Sequence, residues 1–164
     1  MSDELRRIFD EHHVYVWRSL RRLGVQEADL EDLTHDVFLA VHRKLASYDR
    51  ARPVRPWLFA FAVRLASDYR KLARHTREVP VATEPADDAP SAEDVTLARE
   101  QRRVLERALA GVSLELRAVL VLHEIDETPM KDIAEALEIP LNTAYSRLRL
   151  ARAQCLAALR KEQP

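Results

Sequence analysis

A chain of 164 residues with two glycines and one cysteine can bury one ordinary core or two small ones. The shortage of glycine argues against a hairpin-rich β protein and against a phosphate-cradling glycine loop, both of which rely on positive φ angles. Cys155 alone excludes an internal disulfide and a cysteine-based zinc site. No stretch approaches the ~20 uncharged apolar residues of a membrane span, and the N-terminus has no apolar signal core, so the expectation is an all-α cytoplasmic protein without membrane insertion. The net charge of −1 hides a segregation: residues 1–77 sum to +4, 78–95 to −6 and 96–164 to +1. Arg50 to Arg77 holds eight Lys/Arg against Asp68 alone, and Ile139 to Lys161 holds five against no acid. Two basic stretches flanking an acidic one suggest two contacts with a polyanion.

In chain order, the first amphipathic helix is predicted over roughly 4–23, with Leu5, Ile8, Phe9, Val16, Leu20 and Leu23 mostly three or four apart and Gly24 ending it. The second, roughly 28–46, carries Leu30, Leu33, Val37, Phe38, Val41 and Leu45. The third, roughly 56–76, begins at Pro56, which suits a first helical turn. Glu78–Val95 has three prolines, six acids and no aromatic residue, the composition of a solvated linker, and divides the chain into two helical domains, 1–77 and 96–164. A helix of roughly 93–110 then ends before Gly111, and Ser113 is a candidate cap for another of roughly 114–124. Thr128-Pro129 reads as a cap followed by proline at the first position of a short helix to Leu137. After the break Glu138–Leu141, Asn142 is a candidate cap for a final helix to about Arg160. Two helices joined by a tight turn form the helix-turn-helix pattern, the second being the recognition helix.

That final helix presents Asn142, Thr143, Ser146, Arg147 and Arg149 away from its apolar stripe. Short polar groups at a helix N-terminus, followed by arginines and no acid, suit a major groove: the dipole and guanidinium groups favour phosphate while the short side chains reach base edges. Taken alone, the same residues also fit an ordinary exposed amphipathic face; the preceding short helix and turn favour DNA binding. Tyr48 to Phe59 interleaves Arg50, Arg52 and Arg55 with Tyr48, Trp57 and Phe59, a mixture suited to single-stranded nucleic acid, although core packing is the better reading of Trp57 itself. Asp29, Glu31, Asp32 and Asp36 crowd the start of the second helix, where acids meet the dipole favourably. His12, His13, His35, His42, His75 and His123 show no metal-ligand spacing, and Cys155 falls on an apolar stripe as a small core thiol. Neither an enzyme, a metal nor a cofactor is expected.

Asp29-Leu30-Glu31-Asp32-Leu33-Thr34-His35-Asp36-Val37-Phe38-Leu39, followed by Arg55-Pro56-Trp57-Leu58-Phe59, resembles region 2 of the extracytoplasmic-function (ECF) sigma factors. Asp132–Leu137 with Ile139-Pro140 and Thr143–Arg152 resembles their region 4, and both blocks stand in the family's order across a variable linker. The resemblance implies a transcription initiation factor that carries core RNA polymerase to promoter DNA and helps to melt the −10 element. It implies that Asp32, His35 and Asp36 dock on the clamp helices of the β′ subunit. It places −10 capture on Ser47 to Trp57, through Tyr48, Arg50, Arg52, Arg55 and Trp57, with Arg64 and Tyr69 nearby. Reading of the −35 duplex falls on Asn142, Thr143, Tyr145, Ser146, Arg147 and Arg149, with region 4 resting on the β flap and the acidic linker directed towards the RNA exit path. An anti-sigma factor is a common partner in the family. The chain departs from the family pattern at Val63-Arg64, commonly Arg-Asn, and at Tyr145, commonly Lys. The alternative class is a conventional helix-turn-helix regulator that binds duplex DNA without being a polymerase subunit.

Overall fold

The computed structural model describes residues 2–76 and 93–162; the acidic segment read as a linker lies outside them except for 93–95, which are already helical. Ser2 caps α1 (Asp3–Arg22), its hydroxyl accepting the Leu5 N–H at 3.2 Å. Asp3 and Glu4 in the first turn and Arg21 and Arg22 in the last complement the helix dipole. Gly24 ends the helix at φ +94°, in the left-handed region that glycine enters without steric cost. A 3-10 turn at Glu27–Asp29 leads into α2 (Leu30–Lys44), and another at Leu45–Ser47 follows it. α3 spans Val54–Thr76, two residues ahead of the predicted start, so Pro56 lies within its first turn. The three helices pack on one another around Val16, Leu20, Leu30, Val37, Val41, Leu58 and Phe59, all fully buried.

α4 (Glu93–Ala110) and α5 (Leu114–Leu120) follow, and the chain then widens into a single π-type turn, Val121–Ile125. There the Asp126 N–H reaches back five residues to the Val121 carbonyl, at 3.1 Å, and turns of this kind often serve to re-aim a side chain. α6 (Met130–Leu137) and α7 (Leu141–Glu162) complete the helix-turn-helix. α7 packs on α4, α5 and α6 through Ala144, Leu148 and Ala151. No strand occurs among the described residues, and no helix among them is long and apolar enough to cross a membrane.

Three predicted caps are corrected. Ser113 occupies the cap position of α5, but its side chain makes no capping hydrogen bond. Pro129, not Thr128, precedes α6, and the Pro129 carbonyl accepts the Ile133 N–H at 3.1 Å. α7 begins at Leu141, one residue before the predicted cap Asn142, with the Pro140 carbonyl accepting the Ala144 N–H at 3.0 Å. Proline suits both places because its fixed φ directs the chain into the helix and no backbone N–H is lost. The break between α6 and α7 is a Schellman-type turn: Glu138 sits at φ 55°, and the Ile139 N–H bonds the Ala134 carbonyl at 3.0 Å.

The two halves are not separate in space. α3 lies against α5 and α6, and the buried apolar residues from Leu5 to Ala151 form one continuous cluster. A Cβ built on Gly24 would stand 2.9 Å from Nη1 of Arg117, so the residue that ends α1 also makes room for a side chain from α5. Gly24→Ala is expected to lower stability by about 1–3 kcal/mol, combining positive φ with that crowding; a thermal melt of the full chain checks it.

Candidate nucleic-acid interface

α7 sorts the predicted duplex-reading residues into two faces. Asn142, Tyr145, Ser146 and Arg149 are exposed and fall at i, i+3, i+4 and i+7, one continuous outward stripe. Thr143 and Arg147, four apart, lie on a neighbouring face and are half-buried. Arg147 is 3.8 Å from the Glu115 carboxylate of α5 and lines a cleft with Arg64 and Asp68 of α3. The outward stripe therefore holds four of the six residues, with Arg149 as its guanidinium.

In the loop before α3, Tyr48 stacks on Trp57 with ring centroids 4.2 Å apart, and Trp57 meets Phe61 edge-on at 5.1 Å. The Tyr48 hydroxyl donates to the Arg52 carbonyl at 2.6 Å, closing the loop on itself. Arg50, grouped in the sequence with Arg52 and Arg55 as suited to single-stranded nucleic acid, has a structural partner: Nε and Nη2 donate to both Glu4 oxygens at 2.9 and 2.8 Å, and Nη1 donates to the Tyr48 carbonyl. That fork ties the loop to the first turn of α1 and holds the Glu4 carboxyl below its ordinary pKa. Arg55 stands over the Tyr15 ring at 4.9 Å, and Arg64 over the Phe61 ring at 5.5 Å. Tyr69 is likewise committed within its own half: its hydroxyl donates to Asp29 at 2.6 Å. Burial first, and that bond second, push its pKa up to about 12. Trp57 is half-buried against the core, as its position on the helix predicts.

The first half's basic surface faces α6. Arg52 lies 3.9 Å from Glu135 and Arg64 4.0 Å from Glu138. Between them is a cleft of about 400 Å³, lined by Lys44, Ser47 and Trp57 on one wall and Asp132 and Ala136 on the other. Sequence reasoning misses this juxtaposition, since helical periodicity shows which face is apolar but not what covers it.

Away from that cleft, Asp32, His35 and Asp36 are exposed together on α2, at i, i+3 and i+4. Asp32 and His35 border an open groove of about 600 Å³ between α1 and α2, floored by Phe9 and Trp17. Val14 and Leu39 are 46% and 45% exposed. Val14 lines that groove, and Leu39 continues the acidic stripe at the next turn of α2. Neither stands out in the sequence reading, although a large hydrophobic residue at stripe spacing among polar neighbours is a signal of a docking face. Among the described residues no group of three or more His, Cys, Asp or Glu is arranged to hold a metal ion.

Residues 8–76 match the family model for sigma-70 region 2, and residues 102–155 match that for sigma-70 region 4. The ECF RNA polymerase sigma factor SigL of Mycobacterium tuberculosis (strain ATCC 25618 / H37Rv) is 32% identical over 149 residues, 90% of this chain and 84% of that protein. Two solved structures share the fold along nearly the whole chain. One is CnrH in complex with the cytosolic domain of CnrY (TM-score 0.70, 24% identity, 97% of this chain and 89% of that one). The other is the sigma factor RpoE in complex with the anti-sigma factor NepR from Bartonella quintana (TM-score 0.72, 19% identity, 99% and 100%). Both halves of the molecule thus answer to one class, the sigma-70 transcription factors, through regions 2 and 4. Within it the chain belongs to the ECF RNA polymerase sigma factors and is a transcription initiation factor.

The Glu4–Arg50 fork separates anchoring from direct contact. If the loop before α3 binds the melted −10 strand, as the family resemblance implies, and Arg50 serves it by fixing its shape, Glu4→Ala should reproduce the promoter-melting defect of Arg50→Ala, and the double variant should be no worse than either. Permanganate reactivity of the melted strand measures it; a defect confined to Arg50→Ala would identify a direct phosphate contact instead.

Proposed function

We propose that the chain grips a promoter at two places while held on core RNA polymerase. Residues 1–77 act as the polymerase- and −10-binding domain, 78–95 as an acidic linker and 96–164 as the −35-binding domain. Asp32, His35 and Asp36 meet the β′ clamp helices, with the apolar groove beside them giving the charged stripe a hydrophobic floor. Tyr48, Arg52, Arg55, Trp57 and Arg64 engage the unpaired −10 strand, and Arg50 holds the loop in shape for them. Asn142, Tyr145, Ser146 and Arg149 read the −35 duplex directly. Thr143 and Arg147 sit at the edge of that surface, and region 4 rests on the β flap.

The observation that carries this reading is the pairing of a region 2 match and a region 4 match in one chain, each folded with its polar stripe outward. A conventional helix-turn-helix regulator has no use for the region 2 half. Each contact alone is weak, and polymerase raises effective affinity by holding the two at fixed spacing. The chemistry of RNA synthesis belongs to the polymerase; the sigma chain is not a catalyst, and it works in the cytoplasm where the polymerase does. Because CnrH and RpoE were solved as complexes with CnrY and the anti-sigma factor NepR, an anti-sigma partner is proposed here too.

Run-off transcription with core RNA polymerase over a library of genomic promoters tests the reading: promoter-dependent transcripts are expected, and their absence across the library overturns it. On a promoter so found, Arg149→Ala should weaken −35 duplex binding and reduce the salt slope by about one charge. Arg147→Ala should reduce it by less, since Glu115 already offsets part of that charge.

A further inference from the structure

The outward side of α7 carries apolar surface that the fold does not use. Of the chain's four tyrosines, three are committed within the molecule. The Tyr15 hydroxyl donates to Oδ2 of Asp126 at 2.8 Å, Tyr69 bonds Asp29, and Tyr48 bonds the Arg52 carbonyl while its ring stacks on Trp57. Tyr145 is different: it is 54% exposed, with no hydrogen bond or ring contact among the described residues. Leu141, one turn earlier, is 45% exposed. Residues four apart lie one above the other on a helix, so the two side chains form a short apolar ridge at the N-terminal end of α7. Asn142, Ser146 and Arg149, all exposed, run beside it.

The place of this ridge and its chemistry select its occupant. A pair of large apolar side chains at the leading end of a recognition helix differs from hydrophobic residues scattered over a surface, because that end meets base edges. Phosphate is met by cations and hydrogen-bond donors, and Leu141 offers neither. Among the donors and acceptors of the major groove, the C5-methyl of thymine is the apolar group that a side chain can cover. The surroundings suit DNA better than an apolar protein surface. α7 has no acid from Leu141 to Lys161, and both Arg149 and the helix dipole draw phosphate to the same side.

We infer that Tyr145 and Leu141 read thymine C5-methyl groups in the −35 duplex, an apolar contact set beside the polar ones of Asn142, Ser146 and Arg149. The inference rests on the proposed −35 role of α7; it adds Leu141 to the reading face and assigns Tyr145 its chemistry. The tyrosine ring carries the contact, not the hydroxyl, and Leu141 extends the same patch by one turn. Burial of one methyl group changes affinity about fourfold. That is enough to rank promoters whose polar contacts are equal, and too little to create binding by itself.

The test uses the full chain assembled with core RNA polymerase on a promoter recovered by run-off transcription. Each thymidine of the −35 duplex, on both strands, is replaced in turn by deoxyuridine, which lacks only the methyl group and pairs in the same way. At one or two positions the replacement should weaken holoenzyme binding about fourfold. Tyr145→Ala should abolish the difference between thymidine and deoxyuridine there, as coupled partners do in a double-mutant cycle, without changing the salt slope. Tyr145→Phe should keep the difference, and Leu141→Ala should reduce it. Both side chains are exposed, so helicity should stay the same by circular dichroism. The inference is overturned if deoxyuridine has no effect at any position, or the same effect in Tyr145→Ala as in the unmodified chain. A loss in Tyr145→Phe equal to that in Tyr145→Ala would assign the hydroxyl instead, and a lower salt slope in Tyr145→Ala would assign a phosphate contact; either result overturns it as well. Weaker assembly of Tyr145→Ala with core polymerase, at unchanged methyl discrimination, would assign the ridge to a protein surface and do the same. Arg149→Ala on the same promoter keeps the two readings apart. If it leaves −35 binding intact, the −35 assignment of α7 falls; if it weakens binding while deoxyuridine does nothing, the methyl reading alone falls.

Discussion

A buried guanidinium sets the geometry on which both halves depend. Arg117 of α5 is 3% exposed, yet it remains cationic at neutral pH, its pKa lowered only to about 10 by burial and by Arg70. Its Nε and Nη2 donate to the Val112 carbonyl at 3.2 and 2.9 Å, and its Nη1 reaches the Arg22 carbonyl at 3.4 Å. The last carbonyls of α1 form the negative end of that helix's dipole, so a cation placed there is compensated in part by the backbone itself. A charge removed from water is tolerated only where such partners wait for it. Their position fixes where α5 meets α1. Gly24 follows from the same constraint: the chain leaves α1 at positive φ, and a Cβ there would stand 2.9 Å from Nη1 and push Arg117 from its place. Once α1 and α5 are joined in this way, Tyr15 and Asp126 fall opposite each other, and α6 is carried over the start of α3.

The helices are largely legible in the sequence because burial has a period. Leu5, Ile8, Val16, Leu20 and Leu23 mark the inward face of α1 by their spacing alone, and the series through Leu148 and Ala151 does the same for α7. The joints are less legible. With two glycines in the chain, the left-handed positions at Glu127 and Glu138 carry residues that give no local signal for positive φ. The π-type turn is equally silent, since Val121–Ile125 continues an apolar pattern that reads as ordinary helix. Caps fall one residue after Thr128 and two before Asn142, where Pro129 and Pro140 precede α6 and α7. A side-chain oxygen announces a cap by its chemistry, whereas proline acts through its fixed φ and serves several positions equally well.

The candidate site divides along the same line. Where basic charge concentrates is visible in the runs Arg50–Arg77 and Ile139–Lys161. What each charge does is not. Arg50 is committed to Glu4, 46 residues away, and Tyr69 to Asp29, 40 residues away. No periodicity links positions so far apart, so a basic residue in a loop looks equally available whether or not it is held. Arg147 and Arg149 differ by two positions in sequence but by about 200° around the helix, which is why one faces Glu115 and the other faces solvent.

Two kinds of contact join the halves, and they differ in how strictly they fix geometry. α3 packs on α5 and α6, while the Tyr15–Asp126 bond adds a directional contact between α1 and the end of the π-type turn. Burial of Asp126 raises its pKa even though Tyr15, Arg22 and Arg55 all favour its charged form. Desolvation therefore outweighs the attraction that its neighbours supply. A carboxylate in that position selects an arrangement without adding greatly to its stability, the behaviour expected of a buried ionic group retained for specificity. Acids on α6 add to the selection from the other side, Glu135 beside Arg52 and Glu138 beside Arg64. A purely apolar seam would have fused the halves, and a purely solvated one would have left them independent. The combination here fixes one arrangement of the halves through polar as well as apolar contacts.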